Sequence, residues 1–234
     1  MDLVPRKMNI KLYHSIDGIR YSDAIIIVPP TGGVNAIDLG YSNFFCQNGY
    51  AVALLDGFWK QNELDYDFQM HNYAAIRAIV AIKHTVVLLG QREVSTIGIL
   101  GTSIGALTSA ITLGFENKIK AATLIVGSAR HADILVTSDE KSQVIPLRQL
   151  RMRKWGIKTI QGYGQAVRNA VRCEPGDYFL RHGARPVFAI TATSDTTVLT
   201  KYQLELVEKL KASHISIPGG HMNAIISAYA DYRY

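Results

Sequence analysis

The sequence predicts an α/β fold with a mostly parallel sheet covered by helices on both faces. Three observations carry that expectation. Short apolar runs alternate along the chain with segments whose apolar residues recur at helical spacing. The runs are continuous, as in strands buried on both faces, and do not alternate with polar residues. Glycine- or proline-rich turns close several of them.

The elements follow in order. "DAIIIVPP" (23–30) is a buried strand stopped by two prolines, and "TGGVN" is a turn. Residues 36–48 have helical character and end at Gly49. "YAVALLD" (50–56) is a second strand. Residues 64–89 carry apolar residues at helix period behind an acidic start. "VSTIGIL" (94–100) is a third strand, followed by a helix to about Leu113. "IKAATLIVGS" (119–128) and "RPVFAITATSD" (185–195) are further strands, separated by a stretch without that rhythm. The chain closes with a helix (198–211), the strand "HISIP" (214–218) and a helix (221–232).

Bulk properties narrow the class. With 234 residues, 48% hydrophobic and 19% charged, the chain has the composition of one folded domain and not of a disordered segment. No unbroken apolar run reaches the roughly 18–20 residues that span a bilayer. The first ten residues lack the apolar core of a signal peptide. The expected location is cytoplasmic, with Cys46 and Cys173 as reduced thiols and no zinc-ligand spacing. The formal charge is +6, and it is concentrated. Arg148, Arg151, Arg153, Lys154, Lys158, Arg168 and Arg172 occupy 147–172 with no Asp or Glu among them.

Ligands of parallel sheets bind beyond the carboxyl ends of the strands, so the residues there carry the chemistry. After the strand at 94–100 stands "GTSIG", a G-x-S-x-G pattern around Ser103. A strand turning sharply into a helix leaves no room for side chains at Gly101 and Gly105. Such a turn lifts the Ser103 hydroxyl above the sheet and leaves the Ile104 N–H free to bind an oxyanion. A nucleotide loop fits worse: the glycines at 98, 101 and 105 have the wrong spacing, and no lysine follows.

A serine hydroxyl needs a base. His221, after "PGG" at the end of a strand, stands at the same sheet edge. His71 and His84 fall within a helical pattern, His214 starts a strand, His131 and His182 lie in the irregular region, and His14 lies near the N-terminus. Asp195 ends a strand and can orient the imidazole, while capping the next helix is its alternative role. Asp56 is the weaker candidate for the acid.

The chain thus resembles an α/β-hydrolase from about residue 20 onward. The elbow "GTSIG", the acid in "TATSDTTV" and the histidine in "PGGHMN" match that family's motifs in its order. The resemblance implies a serine hydrolase with Ser103, Asp195 and His221 as catalytic residues, and it leaves the substrate open. A small-molecule ester or thioester is expected because nothing in the sequence indicates amide cleavage, and no metal or cofactor is expected. An acyltransferase on the same triad, or a non-catalytic binding protein, are the alternatives. Where the family often has His-Gly-Gly, this chain reads "PPTGGVN". Pro29 and Pro30 have no N–H, so Thr31 or Gly32 is expected to supply the second oxyanion donor.

The resemblance also assigns residues 129–184 to a lid inserted in a single domain spanning 1–234. Within it, 144–158 puts Leu147 and Leu150 on one side and basic residues on another, with Trp155 as an amphipathic anchor. Arg148, Arg151 and Trp155 are therefore candidates for substrate contact. The basic face is read as solvated, as a site for an anionic substrate, or as a contact with an anionic membrane. No nucleic-acid-binding motif accompanies it.

Overall fold

The computed structural model describes residues 9–13, 21–56, 67–178, 183 and 185–231. His14, His182 and the predicted helix start at 64–66 lie outside them. Among the described residues seven strands form one sheet: β1 (Asn9–Tyr13), β2 (Asp23–Val28), β3 (Ala51–Asp56), β4 (Thr96–Thr102), β5 (Ile119–Ile125), β6 (Val187–Ala192) and β7 (Ser213–Ile217). Their order is β1-β3-β2-β4-β5-β6-β7. All neighbours run parallel except β1, which pairs antiparallel with β3.

The α-helices among the described residues are α1 (Ala36–Gln47), α2 (Met70–Gln91), α3 (Ile104–Leu113), α4 (His131–Thr137), α5 (Val144–Lys154), α6 (Ile160–Ala170), α7 (Thr200–Leu210) and α8 (His221–Asp231). Successive strand residues point to opposite faces, and this divides the core. Ile26 and Val28 pack with residues of α2, α3 and α7. Ile27 between them packs on the other face with Tyr41 of α1 and Ile225 of α8.

Chain order and sheet order conflict at one place. From β2 the chain moves to β3 on one side, then crosses to β4 on the other. Crossovers in both directions leave a crevice beyond the carboxyl ends of β2 and β4. Thr31 follows the first of these strands and Ser103 the second.

Two expectations change here. The stretch 129–178 is largely helical, holding α4, α5, α6 and a 3-10 turn at Pro175–Asp177. "GYG" (162–164), read from sequence as a flexible joint, lies inside α6 with Tyr163 fully buried. In addition, α2 is apolar and long enough by composition to cross a membrane. In this fold its Ala74, Ala78, Ile82 and Leu89 are buried in the core beside β2 and α3, which explains the apolar content.

Candidate active site

Ser103 sits between β4 and α3 with φ 54° and ψ −116°. A non-glycine residue in this region is strained and is held there by its surroundings. Its own N–H donates to the Ile125 carbonyl of β5 at 2.8 Å. The flanking glycines are sterically required. A Cβ on Gly105 would lie 2.0 Å from the Val28 carbonyl oxygen, and one on Gly101 would lie 2.5 Å from the Gly105 oxygen.

The turn brings Ser103 Oγ within 3.0 Å of His221 Nε2. His221 is the first residue of α8, next to the turn at Gly219, whose φ is +105°. Its Nδ1 lies 2.7 Å from Asp195 Oδ2. Asp195 is 3% exposed. Its Oδ1 accepts the Thr197 and Val198 N–H groups at 2.9 Å each. Its Oδ2 accepts in addition from Gln203 Nε2 at 2.8 Å. The carboxylate therefore has four partners, and both capping of the following turn and orientation of the imidazole fall to it. Gln203 of α7 is itself anchored: its Oε1 accepts the Ala192 N–H, and its Nε2 also reaches the Val198 carbonyl. Nothing in the sequence singled out Gln203.

Beside Ser103 opens a cavity of about 330 Å³. Thr31 and Ile104 line it together with Ser103, whereas Gly32 does not. The first N–H groups of α3 have no carbonyl one turn back to bond, and that of Ile104 is among them. Thr31 follows Pro30, whose carbonyl accepts the Gly33 N–H at 3.2 Å and closes the turn. Gly32 and Gly33 have φ of +99° and +89°, which glycine adopts freely.

Most of the remaining wall is apolar and comes from α4 and α5: Ile134, Leu135, Val144, Leu147 and Leu150. The predicted apolar side of α5 thus faces the cavity. The predicted basic side requires correction. Arg151 is fully buried. Its Nη1 donates to His71 Nε2 at 2.8 Å, its Nη2 to the Asp67 carbonyl at 3.2 Å, and it hydrogen-bonds Tyr163. Its guanidinium lies 5.1 Å from the Phe68 ring centre. A planar guanidinium with several donors can satisfy such a set where a lysine could not. Arg148 donates to the carbonyls of Val136 and Ser138 and so ties α5 to the end of α4. Trp155 is 54% exposed, with its ring 6.3 Å from that of Phe68. None of these three lines the Ser103 cavity; Arg153 does.

Two histidines set aside in the sequence reading line the cavity as well. His71 of α2 and His131 of α4 are each 3% exposed, and their rings meet edge to face at 5.1 Å. Burial, the His131 ring and the Arg151 charge hold His71 well below the usual imidazole range. Burial and Arg151 bring His131 down to about 4. Glu174 accepts the His131 and Ala132 N–H groups at the start of α4, and burial pushes its carboxyl up. Of the remaining histidines, His84 and His214 take no part in the site. No group of three metal-ligating side chains occurs among the described residues.

No family model matches the chain, and no curated protein matches it. Solved structures do. Est1E from Butyrivibrio proteoclasticus superimposes with a TM-score of 0.68 at 16% identity, over 99% of this chain and 92% of that one. The Pyrococcus furiosus esterase Pf2001 gives 0.61 at 16% identity, over 91% and 80%. A 2,6-dihydroxy-pseudo-oxynicotine hydrolase gives 0.64 at 17% identity, over 97% and 61%. At these identities the likeness concerns architecture. Together with the mostly parallel sheet and its flanking helices, these matches show that this chain has the α/β-hydrolase fold.

Proposed function

We propose that the protein is a serine hydrolase that cleaves a carboxylic ester or thioester through an acyl-enzyme. The observation that carries this reading is the hydrogen-bonded series Ser103 Oγ, His221 Nε2, His221 Nδ1, Asp195 Oδ2, set on a strained turn. The esterases and hydrolase among the structural neighbours support it.

In the first half-reaction Ser103 Oγ attacks the acyl carbonyl, and its proton passes to His221 Nε2. Asp195 holds the ring by Nδ1 and stabilises the imidazolium, while Thr197, Val198 and Gln203 keep the carboxylate in place. The tetrahedral oxyanion takes hydrogen bonds from the Ile104 and Thr31 N–H groups. Each such donor contributes on the order of 100–1000-fold to turnover. The His221 proton goes to the leaving alkoxide or thiolate. Water then enters, gives a proton to His221 and its hydroxide to the acyl carbon, and releases the acid with Ser103 restored.

Leu107, Leu135, Val144, Leu147 and Leu150 make the cavity suited to an apolar chain. The helices α4 to α6, inserted between β5 and β6, serve in this reading as a lid whose inner face sets access. A chain-length series of chromogenic esters, on wild type and Ser103→Ala, tests the proposal. Hydrolysis by the wild type with near-complete loss in Ser103→Ala is expected. Equal hydrolysis by both would overturn it.

A further inference from the structure

Helix α5 carries three arginines, and two are used inside the fold. Arg151 is buried among His71, Asp67 and Tyr163, and Arg148 donates to the carbonyls of Val136 and Ser138. The third, Arg153, is exposed and has neither a hydrogen bond nor an ion pair among the described residues. It nevertheless lines the Ser103 cavity. Its register explains this: Gln143, Leu147, Leu150 and Arg153 recur every three or four residues, so one face of α5 runs along the cavity and Arg153 ends that face at the last turn. Among the described residues no Asp, Glu or Lys lines the cavity, and Arg153 brings the one permanent charge to its wall. A second depression on the surface shares Arg153 and adds Lys158. A positive rim therefore borders an apolar cavity, at a point open to solvent and so to a ligand. A guanidinium whose donors are uncommitted can grip a carboxylate or phosphate through two parallel hydrogen bonds.

We propose that Arg153 is a specificity-determining residue: it takes an anionic group, carboxylate or phosphate, that the substrate carries beyond an apolar stretch from its scissile carbonyl. The inference rests on the hydrolase reading above and names the substrate class within it. The apolar stretch lies against Leu147 and Leu150, and the anion meets the guanidinium at the rim. The preferred substrates are esters or thioesters with a negative charge at one end, not neutral alkyl esters. The pair is partly solvated, so it is worth about five- to tenfold in kcat/KM, expressed mainly in KM.

Two matched series test this, one for an anion on the acyl side and one for an anion on the leaving group. The first pairs p-nitrophenyl half-esters of adipic, suberic and sebacic acids with their methyl-capped, uncharged diesters. The second pairs the octanoyl thioester of phosphopantetheine with that of pantetheine, read by thiol release. Each is measured on wild type, Arg153→Gln and Arg153→Lys. In at least one series the wild type should prefer the anionic member about fivefold or more, and the preference should shrink as salt rises from about 20 mM to about 500 mM. It should fall to near one in Arg153→Gln and return in part in Arg153→Lys. Phosphonate labelling of Ser103 in each variant reports an intact triad. Absence of preference in both series, or its survival in Arg153→Gln, overturns the inference and leaves the hydrolase reading standing. Absence of any Ser103-dependent hydrolysis overturns both.

Discussion

Gln203 Nε2 donates to Asp195 Oδ2 at 2.8 Å, the same oxygen that faces His221 Nδ1 at 2.7 Å. The amide therefore holds the very oxygen that faces the imidazole, and its other end is pinned by the Ala192 N–H. Gln203 is a positioning residue in this account. Gln203→Leu should lower kcat by about tenfold with KM little changed, because only the orientation of His221 is loosened. Gln203→Glu should be worse, since it sets a second carboxylate against Asp195. Steady-state kinetics on both variants, with melting temperatures as the fold control, check this. A change confined to KM would remove Gln203 from the catalytic relay.

Gly105→Ala should be among the most damaging single substitutions. Its Cβ would sit 2.0 Å from one backbone oxygen and 2.6 Å from another, so β2 and α3 must separate. Overpacking of this kind costs about 3 kcal/mol or more. Urea denaturation of the variant should show that loss. A cost within 1 kcal/mol would mean that the close approach of α3 to β2 is not tight.

Arg151→Ala should destabilise by about 2–3 kcal/mol, because it strips partners from His71 Nε2 and the Asp67 carbonyl inside the protein. Lys154→Ala, three residues on at the end of α5, should fall within about 0.5 kcal/mol. Chemical denaturation of the two variants separates a buried arginine from a member of a solvated basic face. Equal, small effects would contradict the buried placement.

Acid should weaken the fold through the cavity histidines. The folded-state value of His131 is about 4, below its unfolded value near 6.5, and that of His71 is also depressed. Between those limits the unfolded chain binds more protons, so stability is lost as pH falls from about 6.5 toward 4. His131→Phe should flatten that part of the profile. Denaturation at several pH values from 7 to 4.5 measures it, and an unchanged slope in the variant would assign the acid sensitivity elsewhere.

Asp38 should act with the opposite sign. Burial raises its carboxyl to about 6, and its Oδ1 has no hydrogen-bond partner. The native state then binds more protons than the unfolded chain between about pH 4 and 6, and stability falls as pH rises across that window. Asp38→Asn keeps an acceptor for the Asn35 N–H and removes the charge. The variant should be more stable than wild type at pH 7, by up to about 3 kcal/mol, and not at pH 4. Equal stability of the two proteins at pH 7 would refute this.

What could be read in the sequence follows from where the free energy is local. Strands β2 to β6 are continuous apolar runs because both faces are covered, and their pattern is visible without tertiary knowledge. Strand β1 escaped because it is a half-exposed antiparallel edge with no such run. The acidic start expected for the helix after β3 did not extend it: α2 begins at Met70, behind the turn at Asp67. Ser103, Asp195 and His221 were legible because each follows a strand and the glycines mark the turns. The helices of 129–178 were not, since their stability comes from contacts distant in sequence. Arg151 pairs with His71 80 residues away, so its burial has no local sign. His71 and Gln203 were missed for the same reason: one looks like a helix residue and the other like a surface amide until the partners are placed.

The most direct measurement is the site and rate of covalent labelling by a fluorophosphonate, followed by intact mass and peptide mapping. A single adduct on Ser103 is predicted, forming orders of magnitude more slowly in His221→Ala, because the imidazole is what makes the hydroxyl a nucleophile. No adduct, an adduct on another residue, or an undiminished rate without His221 would contradict the account.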